Sequence, residues 1–351
     1  IYDYMWLSSD GAAIYVWGMD MGNTEFRYNI ISDGHGVLNG WGHKATHGIY
    51  MDNGVNNVLI HHNVIYDVGD STSYCIKFNQ PGNYRVAYNN TLVDSTGGSF
   101  DTGTNGSFDP DLFGCVLNNN ILTESVTQHA ELLFEDNITS DVGLNLNGDY
   151  SLQAGSTAID YGADEPSISD NYLTSGLGYE GDAPDAGAYE FGAAAWTAGH
   201  DFINLPTPDF TPRTSQYMNL LLGSGFDVLD DWVPAGSPSI GNFDLSKSGL
   251  NRGFRKWLQL NGSTGEGVEQ IVTGLKPNTE YRLSGWVFCD AGEEIKFGVR
   301  NYGDVEMSQT AVNTAYDARR DLFFTTGASD TQAAIFITKT SNASRHSYVI
   351  I

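Results

Sequence analysis

The stretch HGIYMDNG (residues 47–54) alternates apolar and polar residues, and it places Tyr50 and Asp52 on one side of a predicted β-strand. Similar stretches surround Ile14 and Ile76. Because the apolar positions must point inward, the residues between them point to solvent and form one surface. Aromatic rings cover the C–H faces of sugar rings, and carboxylates and amides bind hydroxyl groups. The predicted surface consists of Tyr15, Trp17, Tyr50, Asp52, Lys77 and Asn79.

A second series of strand patterns carries further polar and aromatic residues. By the same alternation we expect Glu25, Arg27, His61 and Tyr88 to point outward into solvent. These residues would add a carboxylate, a cation, an imidazole and a ring to the residues that can contact a substrate.

The two series recur with nearly the same period, which indicates one winding unit that contains both strands. The apolar position moves from Ile14 to Ile49 to Ile76 in steps of 35 and 27 residues, and a recurrent Asn moves in steps of 34, 27, 30 and 17. A coil of roughly 25–35 residues whose strands stack on those of the next coil is typical of a parallel β-helix. We expect the recurrent Asn residues to form an inward ladder of amide hydrogen bonds. They are Asn29, Asn63, Asn90, Asn120 and Asn137.

Beyond about residue 145 the coil pattern fades. The segments AIDYG (158–162) and DAGAYEF (185–191) resemble the tail that closes many extracellular right-handed β-helix proteins. The resemblance implies a cap over the last coil, whose open edge would otherwise pair with other strands. A Pro-containing stretch follows, and from Asn219 longer alternating strands indicate an antiparallel β-sandwich. The sequence therefore predicts an all-β chain with a β-helix domain at 1–191, a linker at 192–218 and a sandwich at 219–351.

Charge is spread unevenly along the 351 residues and excludes some partners. Residues 1–200 hold 26 acidic and four basic side chains, and residues 201–351 hold 17 and 13. A surface this negative repels nucleic acid and anionic membranes. The three cysteines have neither metal-ligand nor disulfide spacing, so we interpret them as buried apolar side chains.

The motifs DGAAIYVWG (10–18), HGIYMDNG (47–54) and VLIHHNVI (58–65) resemble extracellular right-handed parallel β-helix proteins of the pectate-lyase-like superfamily. Within it, the chain is most similar to the β-helical glycoside hydrolases, and the similarity covers about residues 1–191. The resemblance implies hydrolysis of glycosidic bonds by two Asp residues, whose matching positions are Asp10 and Asp52. Such hydrolysis needs one carboxyl group as acid and one as nucleophile or base.

The identity of the second carboxylate stays open at this stage. Asp10 lies seven positions before the residue that stacks on Asp52, which is too far along an extended strand unless a corner folds the chain back. Asp20 and Glu25 are therefore alternative partners of Asp52.

A polysaccharide lyase is the main alternative function. The same superfamily resemblance implies lyases that use Lys or Arg as the base, often with Ca²⁺ to neutralise a uronate. Lys77 could serve as that base, with Arg27 and Arg85 nearby. Against this, a domain with four basic residues is a poor receptor for a polyanion.

The segment from NLLLGSGFD (219–227) to VRNYG (299–303) resembles carbohydrate-binding modules of the jelly-roll type. For this domain we predict sugar contacts by exposed Trp257, Tyr302 and Arg300, since rings stack on sugars and a guanidinium bonds hydroxyl groups. The resemblance also implies a structural Ca²⁺ site, for which Asp227 fits the first position. Trp232 and Trp286 are expected in the core.

These observations together predict a secreted or cell-surface, monomeric protein that binds a polysaccharide, namely a neutral plant or algal glycan. No cofactor is required, and a structural Ca²⁺ is the one metal expected. Hydrolysis with Asp52 is the favoured function, followed by β-elimination and by non-catalytic carbohydrate binding or adhesion. We also expect further coils before Ile1, because the chain begins within a strand pattern.

Overall fold

A computed structural model gives the structure of the chain and divides it into two units, Ile1–Met218 and Asn219–Ile351. It describes residues 1–40, 42, 44–103, 112–146, 149–163, 179–193, 196, 198, 219–226, 228–242, 256–289, 291–312, 318–341 and 347–350.

Short strands that pair in parallel build the first unit, and they form three sheets. The first sheet contains β1 (Gly11–Val16), β4 (Thr46–Met51), β7 (Tyr74–Phe78), β10 (Gly98–Asp101) and β13 (Val126–Thr127). The second contains β2 (Asp20–Arg27), β5 (Asn56–His61), β8 (Arg85–Tyr88), β11 (Val116–Asn118) and β14 (Leu133–Glu135). The third contains β3 (Ile30–Ile31), β6 (Val64–Ile65), β9 (Thr91–Leu92) and β12 (Ile121–Leu122).

The chain visits the three sheets in turn, so each coil adds one strand to each sheet. Ile14 pairs with Ile49, Ile49 with Ile76, and Ile76 with Phe100. The interior holds these apolar side chains, and Ile49, Ile76 and Phe100 have no exposed surface. The predicted register of the coils is confirmed, and the strand order fits the predicted parallel β-helix.

The predicted Asn ladder is also confirmed. Each Nδ2 donates a bond of 2.9 Å to the Oδ1 of the Asn in the next coil, from Asn29 through Asn63, Asn90 and Asn120 to Asn137. The residue before each of these Asn residues has a positive φ, between 46° and 55°. This left-handed residue turns the chain and directs the following Asn inward, where the ladder satisfies buried amide groups that would otherwise be costly.

The segment around residues 185–196 lies against the third sheet. The Gly187 N–H donates to the Asn119 carbonyl, and the Ala188 N–H donates to the Thr91 hydroxyl. Ala188 and Trp196 join the apolar cluster that contains Val64. These contacts run along the outer side of several coils, so the expected cap over the last coil is corrected, and the packed segment extends into the predicted linker. The rest of that linker lies almost entirely outside the described residues.

The second unit consists of two antiparallel five-stranded sheets. One contains β15 (Val233–Ala235), β18 (Gly267–Thr273), β23 (Gln332–Lys339), β20 (Glu294–Arg300) and β21 (Met307–Val312). The other contains β16 (Ser239–Asn242), β17 (Lys256–Gln259), β24 (Ser347–Ile350), β19 (Glu280–Cys289) and β22 (Ala318–Thr325). Their inner faces share one apolar core that includes Leu258, Leu283 and Ile335. The all-β prediction, with parallel sheets followed by an antiparallel sandwich, is confirmed.

Candidate active site

Asp52 is the centre of a hydrogen-bond network on the outer side of the first sheet. Its Oδ2 accepts from the Tyr15 hydroxyl at 2.7 Å. Its Oδ1 accepts from the Tyr50 hydroxyl at 3.1 Å, from the Asn53 N–H at 2.7 Å and from Asn79 Nδ2 at 2.7 Å. Four donors from three coils therefore fix the orientation of one partly exposed carboxylate.

The network depends on the stacking of coils predicted from the sequence. Tyr15 pairs with Tyr50, and Tyr50 pairs with Lys77. Burial first, and then the bond to Asp52, raise the pKa of the Tyr15 hydroxyl, so this group stays a proton donor. Trp17 is 49% exposed beside it. We call the six residues Tyr15, Trp17, Tyr50, Asp52, Lys77 and Asn79 the Asp52 face.

Strict alternation is interrupted in the middle of β4. Ile49 lies in the interior cluster, and a Cβ on Gly48 would also point inward, within 2.5 Å of Ile65. Two successive residues thus face inward, and His47 and Tyr50 share the outer side, with ring centroids 4.8 Å apart. The interruption places His47 beside Tyr50, whose hydroxyl bonds to Asp52.

Asp10 lies within electrostatic range of Asp52. Burial raises the pKa of the Asp10 carboxyl, the charge of Asp52 raises it further, and Lys77 opposes the change. The charge of Asp52 therefore acts on Asp10 despite their separation along the coil. A carboxyl group with a raised pKa beside a second, hydrogen-bonded carboxylate gives two acids with different tasks.

Lys77 has a partner that the sequence interpretation missed. Its Nζ lies 3.0 Å from Asp101 Oδ2 and within 5.9 Å of the Tyr50 ring centroid. Asp101 pairs with Lys77 in the ladder, because Phe100 continues the series of Ile49 and Ile76. Extending that series by one coil would have found it. An ammonium group held by a carboxylate is a poor base.

The second series of strands reaches solvent only in part, since the side chains of Glu25 and Arg27 are partly exposed and the side chains predicted in the next two coils are not. His61 and Tyr88 have no exposed surface, and their rings stack 4.6 Å apart. Both point away from the interior, and apolar neighbours on the same side of the sheet are buried with them. Leu59, Val86, Tyr88 and Val116 form a separate buried cluster. We call these four residues and His61 the Tyr88 face.

The alternative carboxylates belong to other contacts. Glu25 forms an ion pair with Arg27 at 2.9 Å, and its Oε2 lies 3.5 Å from His61 Nε2. Glu25 and His61 lie on the second sheet, whereas Asp52 follows β4 of the first sheet. Asp20 accepts from the Gly22 N–H and from Asn57 Nδ2, which suits a turn. Glu25 and Asp20 therefore each have hydrogen-bond or ion-pair partners other than Asp52.

In the second unit, two of the three predicted sugar contacts are buried. Trp257 is 4% exposed because its indole packs directly over Gly241, its cross-strand partner. Tyr302 is 1% exposed and donates to the Val305 carbonyl at 2.6 Å. Neither ring is exposed for a sugar to stack on, so both predictions are corrected. Trp232 and Trp286 are buried as expected.

Arg300 lines a groove of about 280 Å³ on the outer side of its sheet. The guanidinium lies 5.3 Å from the Phe336 ring centroid and pairs with Glu269. Lys296 lies over the same ring at 5.5 Å and pairs with Glu306 at 2.6 Å. Phe336 could have been found from its position between Ile335 and Ile337, which face the core.

Two expectations concern metals and membranes. Asp227, the predicted calcium ligand, lies outside the described residues. Within the part of the chain that the structure describes, no group of three or more His, Cys, Asp or Glu side chains is arranged to hold a metal ion. Likewise, none of the described segments is a helix long and apolar enough to span a membrane.

Comparison with known proteins gives several partial similarities. No protein-family model matches the chain. Keratan-sulfate endo-1,4-beta-galactosidase of Sphingobacterium multivorum is 30% identical over 152 residues, which are 42% of this chain and 34% of the relative. The chain thus spans about a third of the length of that relative.

Two solved structures are similar at low identity. TmCBM61, solved in complex with beta-1,4-galactotriose, is 16% identical with a TM-score of 0.32, over 38% of this chain and 94% of its own. The enzymatically active domain of bacteriophage CBA120 tailspike protein 4 is 10% identical with a TM-score of 0.32, over 94% of this chain and 42% of its own.

Proposed function

We propose that the chain is part of a secreted protein that hydrolyses glycosidic bonds at the Asp52 face. The observation that carries this proposal is the fixed Asp52 carboxylate with Asp10, whose pKa is raised, in electrostatic range. Glycoside hydrolysis needs one protonated and one ionised carboxyl group near the scissile bond.

The different environments of the two carboxyl groups give them different roles in the reaction. Asp10 keeps its proton to higher pH and donates it to the leaving oxygen, while Asp52 acts as nucleophile or as the base that activates water. Tyr15 and Trp17 are both about half exposed and offer rings for stacking on sugars. Asn79 and Lys77 offer donors to hydroxyl groups beside them.

Two further observations support a carbohydrate substrate. The relative that shares 152 residues with this chain is an endo-β-galactosidase by name. In the second unit, the groove beside Phe336 is lined by the cations Lys296 and Arg300 and by the carboxylates Glu269 and Glu306. These charged groups suit the hydroxyl groups of a neutral glycan. Binding there would raise the local concentration of polymer for the first unit. The excess of acidic residues at 1–200 favours a neutral over a sulfated polymer.

The test is a digestion panel with the full chain. It contains neutral plant and algal glycans, β-galactans and keratan sulfate, and reducing ends are measured for each. We expect activity on a neutral glycan, and Asp52→Asn should lower it by about 10³-fold or more because the nucleophile or base is lost. Asp136→Asn is the matched control, since Asp136 is exposed and its positive φ suits Asn equally well.

Two other outcomes identify the alternative functions. Products that absorb in the ultraviolet, lost in Lys77→Ala and kept in Asp52→Asn, would show a lyase. Tight binding of a glycan with no product of either kind would show a non-catalytic binding protein or adhesin. Each of these results contradicts the proposed hydrolysis.

A further inference from the structure

Arg85 is a charged side chain inside the first unit, with no exposed surface. Burial lowers the pKa of its guanidinium to about 10, so it remains charged at neutral pH. Among the described residues, no carboxylate lies within ion-pair distance of it. Placing a charge in the interior without an ionic partner is costly unless other groups compensate it fully.

Main-chain carbonyl groups supply that compensation. The guanidinium donates from Nε to Val55 O at 2.8 Å, and from Nη1 to Met51 O at 3.0 Å and to Asn79 O at 2.8 Å. From Nη2 it donates to Asp52 O at 3.0 Å and to Pro81 O at 2.9 Å. An arginine has five N–H groups in a planar fork, and all of them are used.

The five carbonyls belong to two segments, 51–55 and 79–81, which follow neighbouring strands of the first sheet. These segments carry Asp52 and Asn79, the two residues joined by the 2.7 Å bond on the Asp52 face. Gly82 leaves room for the fork, since a Cβ there would lie within 2.0 Å of two guanidinium atoms. One side chain from β8 therefore connects the backbones of both site residues.

We propose that Arg85 is a positioning residue that holds Asp52 and Asn79 in register for the reaction. This inference rests on the proposed hydrolysis, and the burial of Arg85 removes it from the surface residues near Lys77 that the lyase alternative invoked. Arg85 cannot touch a substrate because it is fully buried. It acts through the backbone of the residue that does.

The first test measures amide hydrogen exchange in the full chain, comparing wild type with Arg85→Gln. We expect exchange at least 10-fold faster in peptides covering 51–56 and 78–83, where Gly54 N–H bonds to Pro81 O and Asn79 N–H bonds to Met51 O. The control is Asn120→Ala, which removes a ladder residue far from these turns along the coil. Unchanged exchange in the two peptides, or a uniform rise across the first unit, would overturn the inference.

The second test separates positioning from folding by kinetics. On the glycan found in the digestion panel, Arg85→Gln should lower kcat at least 10-fold with KM within threefold of wild type, whereas Asn120→Ala should keep kcat. Gly82→Ala adds a methyl group that displaces the guanidinium of Arg85. The effect of Gly82→Ala on kcat should therefore largely vanish when Arg85 is already replaced by Gln. Wild-type kcat in Arg85→Gln, or fully additive effects, would contradict the proposal.

The two tests also distinguish failure of this inference from failure of the proposed function. If wild type cleaves no glycan, the hydrolase proposal fails, and exchange in the two turns still decides whether Arg85 holds Asp52 in place. If wild type is active and Arg85→Gln is equally active, only the inference fails.

Discussion

The Asp52 face and the Tyr88 face lie on adjacent sheets of the same coils, and alternation predicts that both point outward. The first is partly open to solvent and carries a polar network around one carboxylate. The second is buried, with stacked rings and aliphatic side chains. Alternation gives the direction of a side chain, and it does not say what will cover that side of the sheet.

The columns of residues from coil to coil separate the two faces. On the Asp52 face one column runs Tyr15, Tyr50, Lys77 and Asp101, so its chemical type changes at almost every step. On the Tyr88 face one column runs Glu25, Leu59, Val86 and Val116, and it is apolar in the last three of these coils. Three successive apolar residues on the outer side of a sheet fit the burial of this face, and the polar and charged residues of the first column fit its partial exposure.

The largest expected difference between the two faces is in the effect of substitutions on catalytic activity. Asp10→Asn should lower kcat/KM by about 10²–10⁴-fold, because the proposed acid is lost. Burial and the charge of Asp52 raise the pKa of Asp10, so wild-type activity should be high below that pKa and fall as pH rises through it.

The pH profile of kcat/KM checks this prediction. The alkaline limb assigned to Asp10 should be absent in Asp10→Asn. Glu25→Gln, on the second sheet, is the matched control and should keep activity within about threefold. An unchanged limb in Asp10→Asn would assign the acid to another group.

The second difference is in stability. Tyr88→Ala should lower the free energy of unfolding of the first unit by about 3–5 kcal/mol, since it removes a fully buried ring from a packed cluster. Tyr15→Ala, at a ring that is 46% exposed, should cost about 1 kcal/mol or less. Urea unfolding followed by circular dichroism, fitted with separate transitions for the two units, measures both. Equal losses would remove the distinction between the faces.

The smallest expected effect isolates one hydrogen bond. Tyr15→Phe removes the hydroxyl that donates to Asp52 Oδ2 and keeps the ring, so activity should fall by about tenfold and the urea midpoint should stay unchanged. Tyr2→Phe, at a residue that is 75% exposed, is the control. Wild-type kcat in Tyr15→Phe would show that Asp52 does not depend on this donor.

Much of the first unit could be predicted from the sequence, because short repeats fix the register once one apolar position is assigned. The columns through Ile49 and Tyr50 and the ladder through Asn63 follow from that register alone. The electrostatic contact between Asp10 and Asp52 could not be predicted, since the pattern of extended strands places Asp10 seven positions before the residue that stacks on Asp52.

The burial of residues by contacts that are distant in sequence could not be predicted from alternation either. His61 and Tyr88 alternate correctly, yet both are fully buried together with the apolar residues beside them. In the second unit, the cross-strand position of Gly241 covers Trp257, a pairing that no local motif contains. Arg85 could not be placed either, because its five partners are main-chain carbonyls and leave no trace in residue types.

The Asn ladder sets a rule for how this architecture can be altered. Successive ladder residues are separated by 34, 27, 30 and 17 positions, yet every link has the same length. The Asn ladder therefore tolerates insertions and deletions elsewhere in a coil, provided that each ladder Asn and the residue with positive φ before it are kept. Loops that border the Asp52 face could therefore be lengthened or exchanged while the scaffold beneath them stays the same.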